Sequence, residues 1–338
     1  MRAAFFHGIG QPLAVEQAPE PLPGDGDLVL AVAACGICGS DLHAAEVADY
    51  GLKPGTVLGH EFAGTVLRSA APGWAAGDRA AVIPFALCAE CEPLGDCRDG
   101  LVPVCPAMRG LGFSPAAPGG YAQQVRVRAS QALRLLDAVS LHDGALLEPL
   151  AVAAHAVALA RIGPGMRVLV GGAGPIGLGV AALARLAGAD HVVVSEPVAG
   201  RRGRTLTVGA TAVIDPLAED PAPVFRAADV IIECVGIPGM IGRCIELARP
   251  QGRILVVGVC MEEDRLRPRM AIRKEIALQF AFAYTRADFA RVLDYLAAGR
   301  LRGTDFVTAV IGLGALPATF EALRHPSDQV KVLVDPTL

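Results

Sequence analysis

The sequence predicts an α/β protein in which a doubly wound parallel sheet interrupts a β-rich domain. Three observations carry that reading. Strand-like and helical runs alternate from Arg167 to Val259, a glycine fingerprint lies at the head of that series, and short apolar runs broken by Pro and Gly fill the first third. A chain of 338 residues exceeds one ordinary core and accommodates two domains.

In chain order, Leu28 to Ala34 and Arg79 to Pro84 read as short strands joined by turns. Ala151 to Arg161 is an Ala-rich helical stretch, stopped by Gly163-Pro164-Gly165. Strand-like runs follow at Arg167 to Gly171, His191 to Ser195, Ala228 to Cys234 and Arg253 to Val259. Between them lie the helical runs Ile176 to Ala187, Arg204 to Gly209 and Ile241 to Ala248. Parallel strands with right-handed crossovers are the expected result. Ala287 to Ala298 is helical, and Lys331 to Asp335 is a last apolar run expected to return to the first domain. The expected division is therefore 1–147 completed by 285–338, with 148–284 inserted.

The fingerprint is Val170-Gly171-Gly172-Ala173-Gly174-Pro175-Ile176-Gly177. Gly172 permits a tight turn, Gly174 lets backbone approach a pyrophosphate, and Gly177 lets helix and strand pack closely. Pro175 and Ile176 belong to the helix N-terminus that would receive the phosphates. Glu196 stands 19 residues beyond Gly177, at the end of the next strand-like run. Its carboxylate suits both ribose hydroxyls and repels a 2′-phosphate, which favours NAD. Arg201 and Arg202, close behind it, are groups an NADP site would use. A Rossmann dinucleotide-binding domain, and hence a redox enzyme, is the expectation.

Composition narrows the classes. The chain is 53% hydrophobic and 19% charged, with ample material for a large core. A net charge of −4 and no long basic run argue against nucleic acid. No apolar stretch reaches the ~18 residues of a membrane span. Met1 to Gly8 lacks the apolar core of a secretory leader, so a cytoplasmic protein is expected. Its clustered cysteines then read as metal ligands before disulfides.

Two metal constellations stand out. Cys38 in Cys35-Gly36-Ile37-Cys38-Gly39-Ser40-Asp41-Leu42-His43, with His60 and Glu61 in Gly59-His60-Glu61-Phe62-Ala63-Gly64, supplies a thiolate, an imidazole and a carboxylate. That is the ligand set of a catalytic zinc with an open position, acting as a Lewis acid on an alcohol oxygen. Taken singly, Cys38 also reads as a small buried residue and His60 as a hydrogen-bonded core histidine. Cys88, Cys91, Cys97 and Cys105, separated by two, five and seven residues, suggest a closed four-thiolate structural zinc, with free thiols as the alternative.

On these motifs, together with Gly119-Gly120-Tyr121-Ala122 and Glu148-Pro149-Leu150, the chain resembles the zinc-dependent medium-chain alcohol and polyol dehydrogenases over nearly its whole length. The resemblance implies a GroES-like catalytic domain and zinc on Cys38 and His60. Glu61 and Glu148 compete for the carboxylate position, Glu148 directly or through water. Glu148-Pro149-Leu150 looks like the sorbitol and threonine dehydrogenase branch. Ser40 and His43 map onto that family's proton relay, and Asp41 onto the carboxylate that orients His60. Val235, Val257 and Val259 are placed around the nicotinamide. The family's cysteine lobe usually has two residues where this chain has five between Cys91 and Cys97.

The implied substrate is a secondary alcohol, diol or polyol, converted to its ketone. Tyr50, Phe85, Phe113 and Tyr284 are pocket candidates, and Ala283-Tyr284 stands where polyol members often carry Arg-Tyr. A homodimer or homotetramer is the implied assembly. The rivals are a zinc-free reductase or quinone reductase on the same scaffold, and a catalytically silent dinucleotide-binding protein.

Overall fold

A computed structural model describes residues 1–87, 91, 104–105 and 108–338, and divides them into two units: Met1–Glu148 with Thr285–Leu338, and Pro149–Tyr284.

The first unit is built on the strand Asp27–Gly36, whose Leu-Val-Leu-Ala-Val-Ala-Ala-Cys run is buried almost throughout. It is central to its sheet: it pairs antiparallel with Glu61–Ser69, Gln124–Arg128 and Lys331–Asp335, which satisfies its backbone groups. Register does the positioning. Gly36 lies opposite Glu61, so the turn carrying Cys38 and the residue before the neighbouring strand, His60, emerge at the same end. Leu333 also pairs with Gly36, which brings the start of the strand Lys331–Asp335 to that end. Beneath them Phe6, Leu30, Leu58, Phe62, Tyr121 and Phe320 belong to one buried apolar cluster.

The short helix Gly39–Glu46 begins at Cys38, with Asp41 in its first turn returning a carboxylate to the Cys38 N–H (3.2 Å). This is a capping box, which satisfies an otherwise orphaned amide and fixes how the chain leaves the sheet. Glu148 lies in the first turn of the helix Leu147–Leu159.

In the second unit the parallel strands run in the order Ala212–Ile214, His191–Ser195, Arg167–Gly171, Val230–Glu233, Arg253–Val256, Ala277–Phe280. The order reverses at Arg167–Gly171, which pairs with His191–Ser195 on one side and Val230–Glu233 on the other. Ligands of such sheets bind beyond the carboxyl ends at this switch point. The helix Pro175–Leu186 follows directly, with Gly174 as its N-cap and Pro175 in its first turn.

Several elements differ from the sequence reading. The helix expected from Arg204 begins at Ala199 and ends at Thr207, so it takes in the arginine cluster. The strand Ala212–Ile214, the helices Ala222–Ala227 and Pro268–Lys274, and the edge strand Ala277–Phe280 are additional. Each is short, and Ala277–Phe280 is largely exposed, so none shows a buried periodicity.

Candidate active site

At the end of the first unit's sheet, ligand atoms of Cys38, His60 and Glu61 lie within 4.8 Å of one another. Tetrahedral zinc takes a thiolate sulfur at about 2.3 Å and nitrogen or oxygen at about 2.0–2.2 Å, so one ion could be shared only by donors grouped as closely as these. The donor set also fits the metal: a sulfur, a nitrogen and an oxygen leave one position open.

His60 is buried, and its Nδ1 lies 3.1 Å from Asp41 Oδ1, which leaves Nε2 for the metal. Burial would lower the His60 pKa, but the charges of Asp41 and Cys38 outweigh it and raise it well above the usual histidine value. A ligand nitrogen must be deprotonated, so a metal bound at His60 would have to compete with a proton. Asp41 is fully buried, which alone would raise its pKa. The His60 charge and hydrogen bonds from His60, Tyr121 and the Cys38 amide hold it below the usual carboxylate range.

Ser40 Oγ lies 3.2 Å from Cys38 Sγ and 3.3 Å from His60 Nε2, so the hydroxyl sits among the candidate ligands. His43 is half-buried one turn along the same helix. The Phe113 ring lies 5.3 Å from that of His60. Tyr50 is close enough for Cys38 to act on its phenol, which burial and that charge raise above the usual value. Phe85 sits on the short ladder with Gly110, and Tyr284 is buried.

The two glutamates separate. Glu61 is fully buried and both of its oxygens accept from Lys331 Nζ, at 2.7 and 2.6 Å; the same ammonium donates to the Ile37 carbonyl. Burial would depress the Lys331 pKa, but Glu61 outweighs it and keeps the ammonium charged. Glu148 is not among the residues whose ligand atoms cluster with Cys38 and His60; it is buried, within electrostatic reach of Lys331. Its place on the helix Leu147–Leu159, rather than on the Cys38 or His60 segments, sets it apart. Sequence reasoning missed Lys331 entirely. Tyr121, which in sequence is only part of the Gly119-Gly120-Tyr121-Ala122 motif, donates its hydroxyl to Asp41 Oδ2 at 2.6 Å. Of the second cysteine group, Cys91 and Cys105 are described, while Cys88 and Cys97 lie outside the described residues.

The fingerprint of the second unit has the geometry of a phosphate cradle. Gly172 adopts φ +89°, and a Cβ on Gly177 would sit 2.0 Å from the Gly172 carbonyl oxygen. A Cβ on Gly174 would meet nothing within 4 Å, so the backbone there is open to a ligand at the N-terminus of a 12-residue helix. Pro175 and Ile176 are half-buried beside it. The buried Glu196 carboxylate accepts from Ala173 N–H at 2.7 Å and Val198 N–H at 2.9 Å, which ties the acid to the fingerprint turn. Arg202 is engaged with Asp215 (3.0 Å) and with the carbonyls of Glu196 and Pro197. Arg201 Nε, by contrast, is a buried donor with no hydrogen-bond partner among the described residues. Val235, Val257 and Val259 lie past the strand ends rather than in the sheet core, and Val235 and Val259 are exposed. The buried Glu233 fixes their floor by accepting from the Val235 and Gly236 amides. Among the described residues, no helix is long and apolar enough to cross a membrane.

Residues 24–137 match the alcohol dehydrogenase GroES-like domain, and residues 175–298 the zinc-binding dehydrogenase domain. The chain is 29% identical to the sorbitol dehydrogenase of Bacillus subtilis strain 168, over 99% of this chain and 97% of that one. It is 32% identical to the L-galactonate-5-dehydrogenase of Escherichia coli K12, with 91% of each covered. A solved structure from Sinorhizobium meliloti 1021, described as a "putative zinc-binding dehydrogenase" bound to NADP, superposes with a TM-score of 0.89 at 32% identity over 99% of both chains. Ligand cluster, phosphate cradle and these likenesses agree: the chain belongs to the zinc-dependent medium-chain alcohol and polyol dehydrogenases, oxidoreductases that use zinc and a nicotinamide dinucleotide.

Proposed function

We propose that the protein interconverts a secondary alcohol, diol or polyol and its ketone with NAD(H), using zinc held by Cys38, His60 and a glutamate. The observation that carries this is the sulfur–nitrogen–oxygen cluster of Cys38, His60 and Glu61. When bound, zinc would supply Lewis-acid polarisation of the alcohol oxygen and the dinucleotide a hydride acceptor. The relatives act on sugar alcohols and sugar acids by name, which supports a polyhydroxylated substrate. A zinc-free reductase would have no use for this cluster.

The chain's own groups then have definite tasks. Asp41 accepts from His60 Nδ1 and so directs Nε2. Ser40 Oγ stands within the ligand cluster, where it would accept the alcohol proton while giving up its own hydroxyl proton, and half-buried His43 on the same helix would pass a proton outward to solvent. Phe113 and Tyr50 give the substrate an apolar wall and a phenol. The test is NADH formation by zinc-loaded protein over secondary alcohols, diols, polyols and hydroxy acids. Zinc-dependent turnover confirms the reading; zinc-loaded protein that oxidises none of them while still binding NADH overturns it.

NAD is the proposed dinucleotide because Glu196 is anchored at the fingerprint turn and Arg202 is occupied by Asp215. Glu196→Ala should weaken NAD at least about tenfold more than NADP, the loss of one charge-assisted hydrogen-bond pair. Titration of both dinucleotides checks it, and an unchanged preference removes the ribose assignment.

A second copy of the chain is the proposed partner, paired along the edge strand Ala277–Phe280. Phe280 on that strand, Phe282 just past it and Ile272 on the preceding helix Pro268–Lys274 are 63%, 55% and 73% exposed, more apolar surface than an unpaired edge normally shows. Phe280→Asp should lower the mass measured by light scattering, and an unaltered mass places the interface elsewhere.

A further inference from the structure

We propose that Tyr121 is a positioning residue of the metal site, whose phenol locks Asp41 and through it the ring of His60. The inference rests on the reading of Cys38 and His60 as zinc ligands.

Asp41 Oδ1 meets His60 Nδ1 at 3.1 Å, while Oδ2 accepts from the Cys38 amide at 3.2 Å and from the Tyr121 hydroxyl at 2.6 Å. The hydroxyl has one proton and two acceptors in reach. The carboxylate at 2.6 Å is charged and much nearer than the Gly36 carbonyl at 3.3 Å, so the proton goes to Asp41. Without the phenol, Oδ2 keeps only the longer amide bond, and the carboxylate is free to rotate about its χ2 away from the imidazole.

The backbone is arranged to admit this ring. Tyr121 N–H donates to the Leu58 carbonyl, and Gly120 N–H to that of Gly59, so Tyr121 runs beside the segment that leads into His60. Gly59 sits at φ +90°, and a Cβ there would come within 2.6 Å of the Tyr121 ring. Gly120 has the same constraint against Phe62, at 2.7 Å. On its other side the ring meets Phe320 edge-on, with centroids 6.5 Å apart. Packing fixes the ring, and the ring fixes where the hydroxyl points. Phenylalanine would satisfy every apolar contact, so the hydroxyl is there for Asp41.

The probe is Zn²⁺, titrated into chelator-stripped full-length protein against a chromophoric competitor. The relevant equivalent is the one Cys38→Ser removes. Tyr121→Phe is expected to weaken it roughly tenfold, about the worth of one hydrogen bond to a charged group. In an Asp41→Asn background the same substitution should have no further effect, because the phenol acts only through that carboxylate. An affinity within about twofold of wild type, or an equal loss in both backgrounds, overturns the proposal. A Tyr121→Phe chain that is unfolded by circular dichroism also counts against it, since the phenol would then serve the fold. If Cys38→Ser removes no zinc, the metal reading falls and takes this inference with it.

Discussion

Cys38→Ser should lower turnover by roughly 10³-fold or more while NADH binding stays nearly intact. Lewis-acid stabilisation by a bound metal is worth several kcal/mol, and each 1.4 kcal/mol is a factor of ten. A serine hydroxyl is not deprotonated near neutral pH and is a poor substitute for a thiolate. The substitution is otherwise mild. Position 38 is the N-cap of the helix Gly39–Glu46, where serine is a favoured residue, and the Asp41 carboxylate caps the residue 38 amide whatever its side chain. Steady-state kinetics and fluorescence titration with NADH separate the outcomes. Loss of both activity and binding would show that Cys38 serves the fold.

The second large effect is on stability. Lys331→Met should destabilise the protein by about 3–5 kcal/mol, because it leaves the Glu61 carboxylate buried without its counter-charge. Methionine preserves most of the stem's packing, so the loss isolates the charge. For a unit of this size the melting temperature should fall by roughly 10 °C. Adding Glu61→Gln should recover much of it, since a neutral amide is far cheaper to bury than a lone carboxylate. Thermal unfolding of zinc-stripped protein gives both values. A change below about 1 kcal/mol would mean that water reaches the pair.

What the sequence revealed and what it hid follow from separation along the chain. The backbone demands at Gly172, Gly174 and Gly177 are local and so readable in sequence, and the structure has a positive φ, open space and a close crossing at those positions. The clustering of Cys38 with His60 was visible only as two motifs; the antiparallel pairing of Gly36 with Glu61 is what joins them. Tyr121 and Lys331 escaped because their partners, Asp41 and Glu61, lie 80 and 270 residues away, and no periodicity marks such a contact. Lys331 opens an apolar strand, where a lysine reads as a solvated end, yet it is 1% exposed. The Glu61–Glu148 ambiguity had the same origin: both are acids beside apolar runs, and only in the fold does Glu61 group with Cys38 and His60 while Glu148 stands on the helix Leu147–Leu159.

The Glu61–Lys331 pair also has a temporal side. Ribosomes deliver Glu61 early and its counter-ion only after the whole of Pro149–Tyr284 has been made. The dinucleotide unit is contiguous and can mature as soon as it is complete, as domains synthesised in sequence generally do. The first unit has to hold an acid without its partner, and a central strand without one neighbour, until Lys331–Asp335 arrives. Synthesis therefore finishes the contiguous dinucleotide unit before the first unit, and the candidate zinc ligands sit on a sheet that closes last.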